Sequence, residues 1–183
     1  PPSAIGLTGQ MHGMLYVDKD GQAVSPFYTW QDLSGALPLP GSAEESAVSR
    51  LQQHVGMAAA GYGLSTHFYL QKADLIPEKA VSMTTISDYV AMKLTGRRAP
   101  LLAPDMAASW GCFGLKKGAF LREKLEAAGV DISYLPEVSK GHVPAGYLLS
   151  QFPGERKGSV PVICSLGDNQ ASFIGSVQNM EDT

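Results

Sequence analysis

A chain of 183 residues that is 44% hydrophobic and 17% charged can bury one core of ordinary size, and its composition is that of a globular domain. A formal net charge of -3, with no dense block of lysine or arginine, excludes the electrostatic footprint of a nucleic-acid or anionic-membrane partner. No apolar run approaches the ~20 residues of a membrane span, and Pro-Pro-Ser opens the chain without a signal peptide's basic and apolar regions, so a soluble cytoplasmic protein is expected.

Cys112 and Cys164 form no Cys-x-x-Cys pair and have no histidine at metal-ligand spacing, so two free thiols are expected, with neither zinc nor a disulfide. The chain has no initiator methionine and reaches its first strand almost at once, as an excerpt of a longer protein would.

Residues 4–9 and 14–17 read as strand segments around a Gly-Gln-Met-His-Gly break, and the turn Asp18-Lys-Asp-Gly21 leads to a third strand, Ser25–Trp30. Leu37–Gly41 is a loop, and Ser42 with Glu45 three residues later fits a capping box opening a helix to about Val55. Helix, turn and connection follow over 66–73 and 77–81, then β character at Val81–Thr85. Ile86–Leu94 is a helix ended by Gly96, with Ile86, Tyr89, Val90 and Leu94 as its core face. Pro100–Gly114 reads as irregular apart from a turn at Asp105–Ser109. Lys117–Ala128 is an amphipathic helix with Phe120, Leu121, Leu125 and Ala128 inward and Gly129 as its stop. Residues 130–159 are mostly loop, Val160–Leu166 is a buried strand with Pro161 near its start, and a helix runs from Asn169. Strands alternating with helices predict an α/β fold.

Asp168 holds the best position for chemistry, because open α/β sheets place reactive groups where a buried strand ends and a helix begins. Its carboxylate there suits a general base that takes the proton of an attacking hydroxyl, and it equally suits an N-cap. His12 lies in the first break beside Gln10, whose amide both donates and accepts, a set that suits sugar hydroxyls. Trp30-Gln31-Asp32 offers an aromatic plate, an amide and a carboxylate in a row, but strand alternation would send Gln31 to the other side unless the chain bends. Asp88, expected on a helix surface, and Asp105, expected to start a turn, read as structural, and His54, His67 and His142 receive no role.

The segments Gly6-Leu-Thr-Gly-Gln-Met-His-Gly13, Trp30-Gln-Asp32, Ile86-Ser-Asp-Tyr-Val90 with Leu94-Thr-Gly96, and Gly167-Asp-Asn-Gln-Ala-Ser172 resemble, in order, those of the FGGY carbohydrate kinases. Within that family Thr29–Asp32 and Ala107-Ala-Ser-Trp-Gly111 are most similar to the members acting on sedoheptulose, with those acting on xylulose next. The resemblance implies an actin-like, ribonuclease-H-like ATPase fold, of which residues 1–183 form an incomplete N-terminal domain, and transfer of a phosphoryl group from ATP with Mg2+ to a terminal hydroxyl of a ketose. Asp168 then matches the general base, while Gln10, Met11, His12 and Asp32, with Trp30 beside them, match the sugar-contacting positions. Ser34 stands where the family usually has arginine, and the Asp-x-Gly-Thr phosphate loop and the adenosine-binding segment are absent. A sugar-binding module without catalysis is the alternative from another class.

Overall fold

The computed structural model describes residues 2–149 and 160–177. In chain order the first elements are strands β1 (Thr8–Gly9) and β2 (Leu15–Val17) and helices α1 (Ala47–His54) and α2 (Gly63–Lys72). Strand β3 (Ser82–Thr84), helix α3 (Ile86–Thr95), strand β4 (Leu101–Leu102) and helix α4 (Pro104–Ala108) come next. Strands β5 (Phe113–Gly114) and β6 (Ala119–Phe120) precede helix α5 (Arg122–Ala128) and strands β7 (Glu137–Val138) and β8 (Pro144–Tyr147). Strands β9 (Pro161–Ile163) and β10 (Leu166–Gly167) feed helix α6 (Asp168–Ser176).

The site rests on a short mixed sheet. Ile5 bridges Val162 in parallel, Thr8 and Gly9 of β1 pair in parallel with Leu166 and Gly167 of β10, and β9 pairs antiparallel with β8. Helix α3 covers this layer, packing Ala91 with Ala103, Ala145, Val162 and Cys164 into one apolar cluster. A larger core, including Tyr16, Leu51, Leu64, Phe68, Trp110 and Leu125, joins β2 and β3 to helices α1, α2 and α5. Among the described residues no helix is long and apolar enough to cross a membrane.

Several elements differ from expectation. Helix α1 starts at Ala47, because Ser46 and Ser49 form the reciprocal capping box, each side chain accepting the other's backbone N–H. Ser42 does accept the Glu45 amide, but Glu45 gives its carbonyl to Leu39 and its carboxylate to Arg50, which holds that segment as a turn. The strand expected over Ser25–Trp30 is reduced to a single bridge, Tyr28 to Met14. In α3 the buried residues are Ser87, Asp88, Ala91 and Met92, whereas Val90 is 41% exposed, because α3 packs its small and polar face on the sheet. The helix expected from Lys117 begins only at Arg122, after the β5–β6 hairpin takes Ala119 and Phe120, and the loop expected over 130–159 contains β7 and β8. Residues 150–159 of that loop lie outside the described residues. Gly96 and Gly129 stop α3 and α5 as read, both in the left-handed region that glycine adopts without penalty.

Cys112 and Cys164 are both free and buried, as expected, and burial pushes the Cys112 thiol up to about 12.

Candidate active site

The strand expected over Val160–Leu166 breaks at Cys164–Ser165, and its second part, β10, ends at Gly167 beside Gly9. Two chain segments therefore leave adjacent parallel strands at the same end, Gln10–His12 after Gly9 and Asp168 after Gly167. This is the end where open α/β sheets gather their ligands. Asn169 donates its side-chain N–H to the Met11 sulfur at 3.9 Å, and a Cβ on Gly167 would come within 2.7 Å of that sulfur, so a larger residue there would push the Met11 side chain aside.

Asp168 is exposed and occupies the first turn of α6, with Gly167 rather than Asp168 at the N-cap. Its Oδ1 accepts the Asn169 N–H at 2.9 Å, which orients the carboxylate at the helix N-terminus, where the positive end of the macrodipole lies.

His12 adopts a φ of 74°, the left-handed region, which for a residue other than glycine persists only when surrounding contacts hold it. Ser109, the residue that closes α4, supplies those contacts: its Oγ accepts the His12 N–H at 3.0 Å, and its carbonyl lies 2.6 Å from Nδ1. A carbonyl only accepts, so Nδ1 carries the hydrogen of that bond, and the neutral ring then presents Nε2 as an acceptor for a hydroxyl. Tyr62 stacks on the imidazole with ring centroids 4.6 Å apart and planes 3° from parallel. Trp110, fully buried, donates its indole N–H to the Gly13 carbonyl at 3.0 Å and fixes the other side of the turn.

Thr29–Asp32 forms a turn closed by the Asp32 N–H on the Thr29 carbonyl, so the alternation of a strand does not govern where these side chains point. Asp32 is half-buried; its Oδ1 accepts from the Ser34 N–H at 3.0 Å and from the Thr66 hydroxyl at 3.3 Å. Trp30 is 55% exposed, a surface plate rather than a core residue, and its backbone lies against Gly61, next to the Tyr62 that covers His12. Gln10 is half-buried and Met11 is buried. The structure thus brings Gln10, Met11, His12 and Asp168 to one strand end, and links the Trp30–Asp32 turn to them through Gly61 and Tyr62.

Sequence reasoning assigned no role to Tyr62, Ser109 or Trp110. The Ala107–Gly111 segment was a signal for the last two, but the backbone atoms they hold became visible only in three dimensions. Asp88, expected on a helix surface, is 1% exposed; Asp105 starts a helix rather than a turn. Burial, opposed by bonds from Thr85 and Ser165, raises the Asp88 carboxyl above the usual range.

No group of three or more metal-ligating side chains forms among the described residues. A magnesium ion that travels with nucleotide phosphates needs only one or two protein carboxylates.

Residues 1–175 match the FGGY family of carbohydrate kinases, N-terminal domain. The chain belongs to the FGGY family. Among curated FGGY relatives, sedoheptulokinase from Mus musculus is 34% identical over 97% of this chain and 39% of its own length, and the Homo sapiens enzyme is 32% identical with the same coverage. Xylulose kinase from Staphylococcus xylosus is 26% identical over 80% of the chain and 30% of its own length. Among solved structures, gluconate kinase from Lactobacillus acidophilus superposes with a TM-score of 0.74 at 18% identity, over 93% of this chain and 35% of that one. Ligand-bound xylulose kinase from the same organism gives 0.70 at 20% identity, over 94% and 36%. These likenesses show the actin-like fold of the FGGY kinases, and the chain spans well under half the length of the relatives it matches.

Proposed function

We propose that the enzyme containing this chain transfers a phosphoryl group from ATP to a terminal hydroxyl of a ketose, sedoheptulose by preference, with Asp168 as general base. The observation that carries this reading is the register of Gly9 with Gly167, which sets Gln10–His12 beside Asp168. As the substrate oxygen bonds to phosphorus and the bond to the ADP leaving oxygen breaks, the Asp168 carboxylate takes the hydroxyl proton. His12 Nε2 accepts from one sugar hydroxyl, the Asp32 oxygen not bonded to Ser34 and Thr66 accepts from another, and Trp30 covers an apolar sugar face. Bound ATP with Mg2+ supplies the phosphoryl group and neutralises charge developing on it.

The preference for sedoheptulose is supported by the higher identity to the Mus musculus sedoheptulokinase than to the xylulose kinases, 34% against 26% for the Staphylococcus xylosus enzyme. The sequence contains no Asp-x-Gly-Thr segment and spans 39% of the Mus musculus sedoheptulokinase, so these 183 residues alone give little turnover. The test replaces Asp168 by Asn in the complete enzyme. Turnover of sedoheptulose with ATP falls by about a thousandfold or more, while calorimetry finds sugar binding unchanged. Turnover kept within about tenfold of the parent removes Asp168 from the base role, and a higher kcat/KM on xylulose removes the substrate preference.

A further inference from the structure

The two edges of β10 are satisfied differently. On one edge the Leu166 N–H bonds to the Leu7 carbonyl at 2.9 Å, an ordinary ladder bond to the segment that leads through β1 to His12. On the other edge the neighbouring backbone gives out: the Cys164 N–H bonds to the Val143 carbonyl, just before β8, and among the described residues no strand continues alongside Ser165 and Gly167. Their amides go to side chains. Asp88 Oδ1 accepts the Ser165 N–H at 3.1 Å, and Asp105 Oδ2 accepts the Gly167 N–H at 2.9 Å.

We propose that Asp88 and Asp105 are positioning residues for phosphoryl transfer, two carboxylates that replace a missing strand and hold the β10 backbone so that Asp168 meets the sugar. Both sit in the first turns of helices, α3 and α4, where a capping role is the ordinary expectation. Asp88 keeps one oxygen for such local work, accepting the Thr85 hydroxyl at 2.7 Å. Its other oxygen, however, reaches a residue 77 positions away, and the Asp105 bond spans 62. A carboxylate out of water is costly unless its bonds repay it, and Asp88 is 1% exposed. Asp105 Oδ1 is buried without a hydrogen bond, with His142 Nε2 3.5 Å away, so among the described residues the bond from Oδ2 to Gly167 is the one hydrogen bond this carboxylate makes. Gly167 directly precedes Asp168, and a displacement of about 1 Å at a catalytic group costs about a hundredfold in rate.

This inference deepens the function proposed above and rests on it, and the experiment separates the two. In the complete enzyme Asp105→Ala lowers kcat for sedoheptulose about a hundredfold, leaves the sugar KM within about threefold, and speeds amide exchange of the peptide spanning 165–170. Asp105→Asn, whose amide oxygen still accepts the Gly167 N–H, restores kcat to within about threefold of the parent. Should the alanine variant not fold, Asp105→Glu takes its place: it displaces the acceptor by one methylene and loses kcat where asparagine keeps it. Unchanged kcat in a folded Asp105→Ala protein, with Asp168→Asn inactive, overturns the positioning role and leaves the base standing. If Asp168→Asn stays active the functional reading fails, and unaltered exchange at 165–170 in Asp105→Ala then overturns the clasp independently.

Discussion

Ser109 holds His12 at two atoms across 97 positions of chain, its hydroxyl on the backbone N–H at 3.0 Å and its carbonyl on Nδ1 at 2.6 Å. The first bond supports a strained left-handed backbone; the second leaves Nε2 as the ring nitrogen free to accept. Ser109→Ala removes only the first. Sedoheptulose affinity of the complete enzyme falls about tenfold, the equivalent of about 1.4 kcal/mol for an unmade bond, while kcat at saturating sugar stays within about threefold. Unchanged affinity by calorimetry would mean that the turn holds its shape without this hydroxyl.

Tyr62 acts on the same ring by its face. Tyr62→Phe preserves the stack and leaves sugar affinity within about twofold, whereas Tyr62→Ala frees the imidazole and weakens binding by about three- to tenfold, as expected for a stacked pair worth about 1 kcal/mol. Equal affinities for the two variants would show that the ring needs no cover.

Gly61 sits where an added Cβ would overlap the Trp30 carbonyl oxygen, a backbone atom that cannot swing aside. Gly61→Ala therefore displaces the Trp30–Asp32 turn. Trp30 fluorescence shifts and sugar affinity falls, with melting temperature reduced by only a few degrees because the turn is peripheral to the core. A parental emission spectrum combined with parental affinity would contradict this placement.

His67 is fully buried between Tyr16, whose hydroxyl lies 2.7 Å from Nδ1, and the Asp131 carbonyl, 3.0 Å from Nε2. The carbonyl takes a hydrogen from Nε2, so Nδ1 accepts from the Tyr16 hydroxyl and the ring is satisfied when neutral. Burial pushes its pKa down to about 4 from 6.5. Below pH 6.5 the unfolded chain takes up a proton that the folded chain refuses, so stability falls as pH drops from 6.5 to 4 and is fully present above. The loss is roughly 3 kcal/mol across that window. Urea unfolding at pH 7 and pH 4.5 measures it, and His67→Gln flattens the dependence. An equal slope in both proteins would assign the effect to other groups.

Trp110 joins core and site. Trp110→Phe retains most of the buried volume but strands the Gly13 carbonyl, costing about 1–3 kcal/mol in thermal unfolding, and weakens sugar binding because His12 precedes that carbonyl. A variant that melts like the parent and binds sugar equally well would place the indole N–H outside both roles.

The sequence by itself determined the α/β class, the stops at Gly96 and Gly129, the free buried thiols and the ordered polar motifs, because each depends on backbone freedom, composition or neighbours in the chain. Local rules failed where other contacts engaged the same groups. Ser42 and Glu45 satisfy a capping pattern, yet contacts with Leu39 and Arg50 keep them in a turn. Val90 has helical spacing with apolar residues, yet the sheet lies on the other face of α3, which buries Asp88. Only the tertiary structure set Gly9 beside Gly167, chose the His12 tautomer through Ser109 and sent the Asp105 carboxylate to the Gly167 amide. Hydrogen bonds and close packing depend on separation in space, and partners 62 positions apart or more leave no periodic trace in the chain.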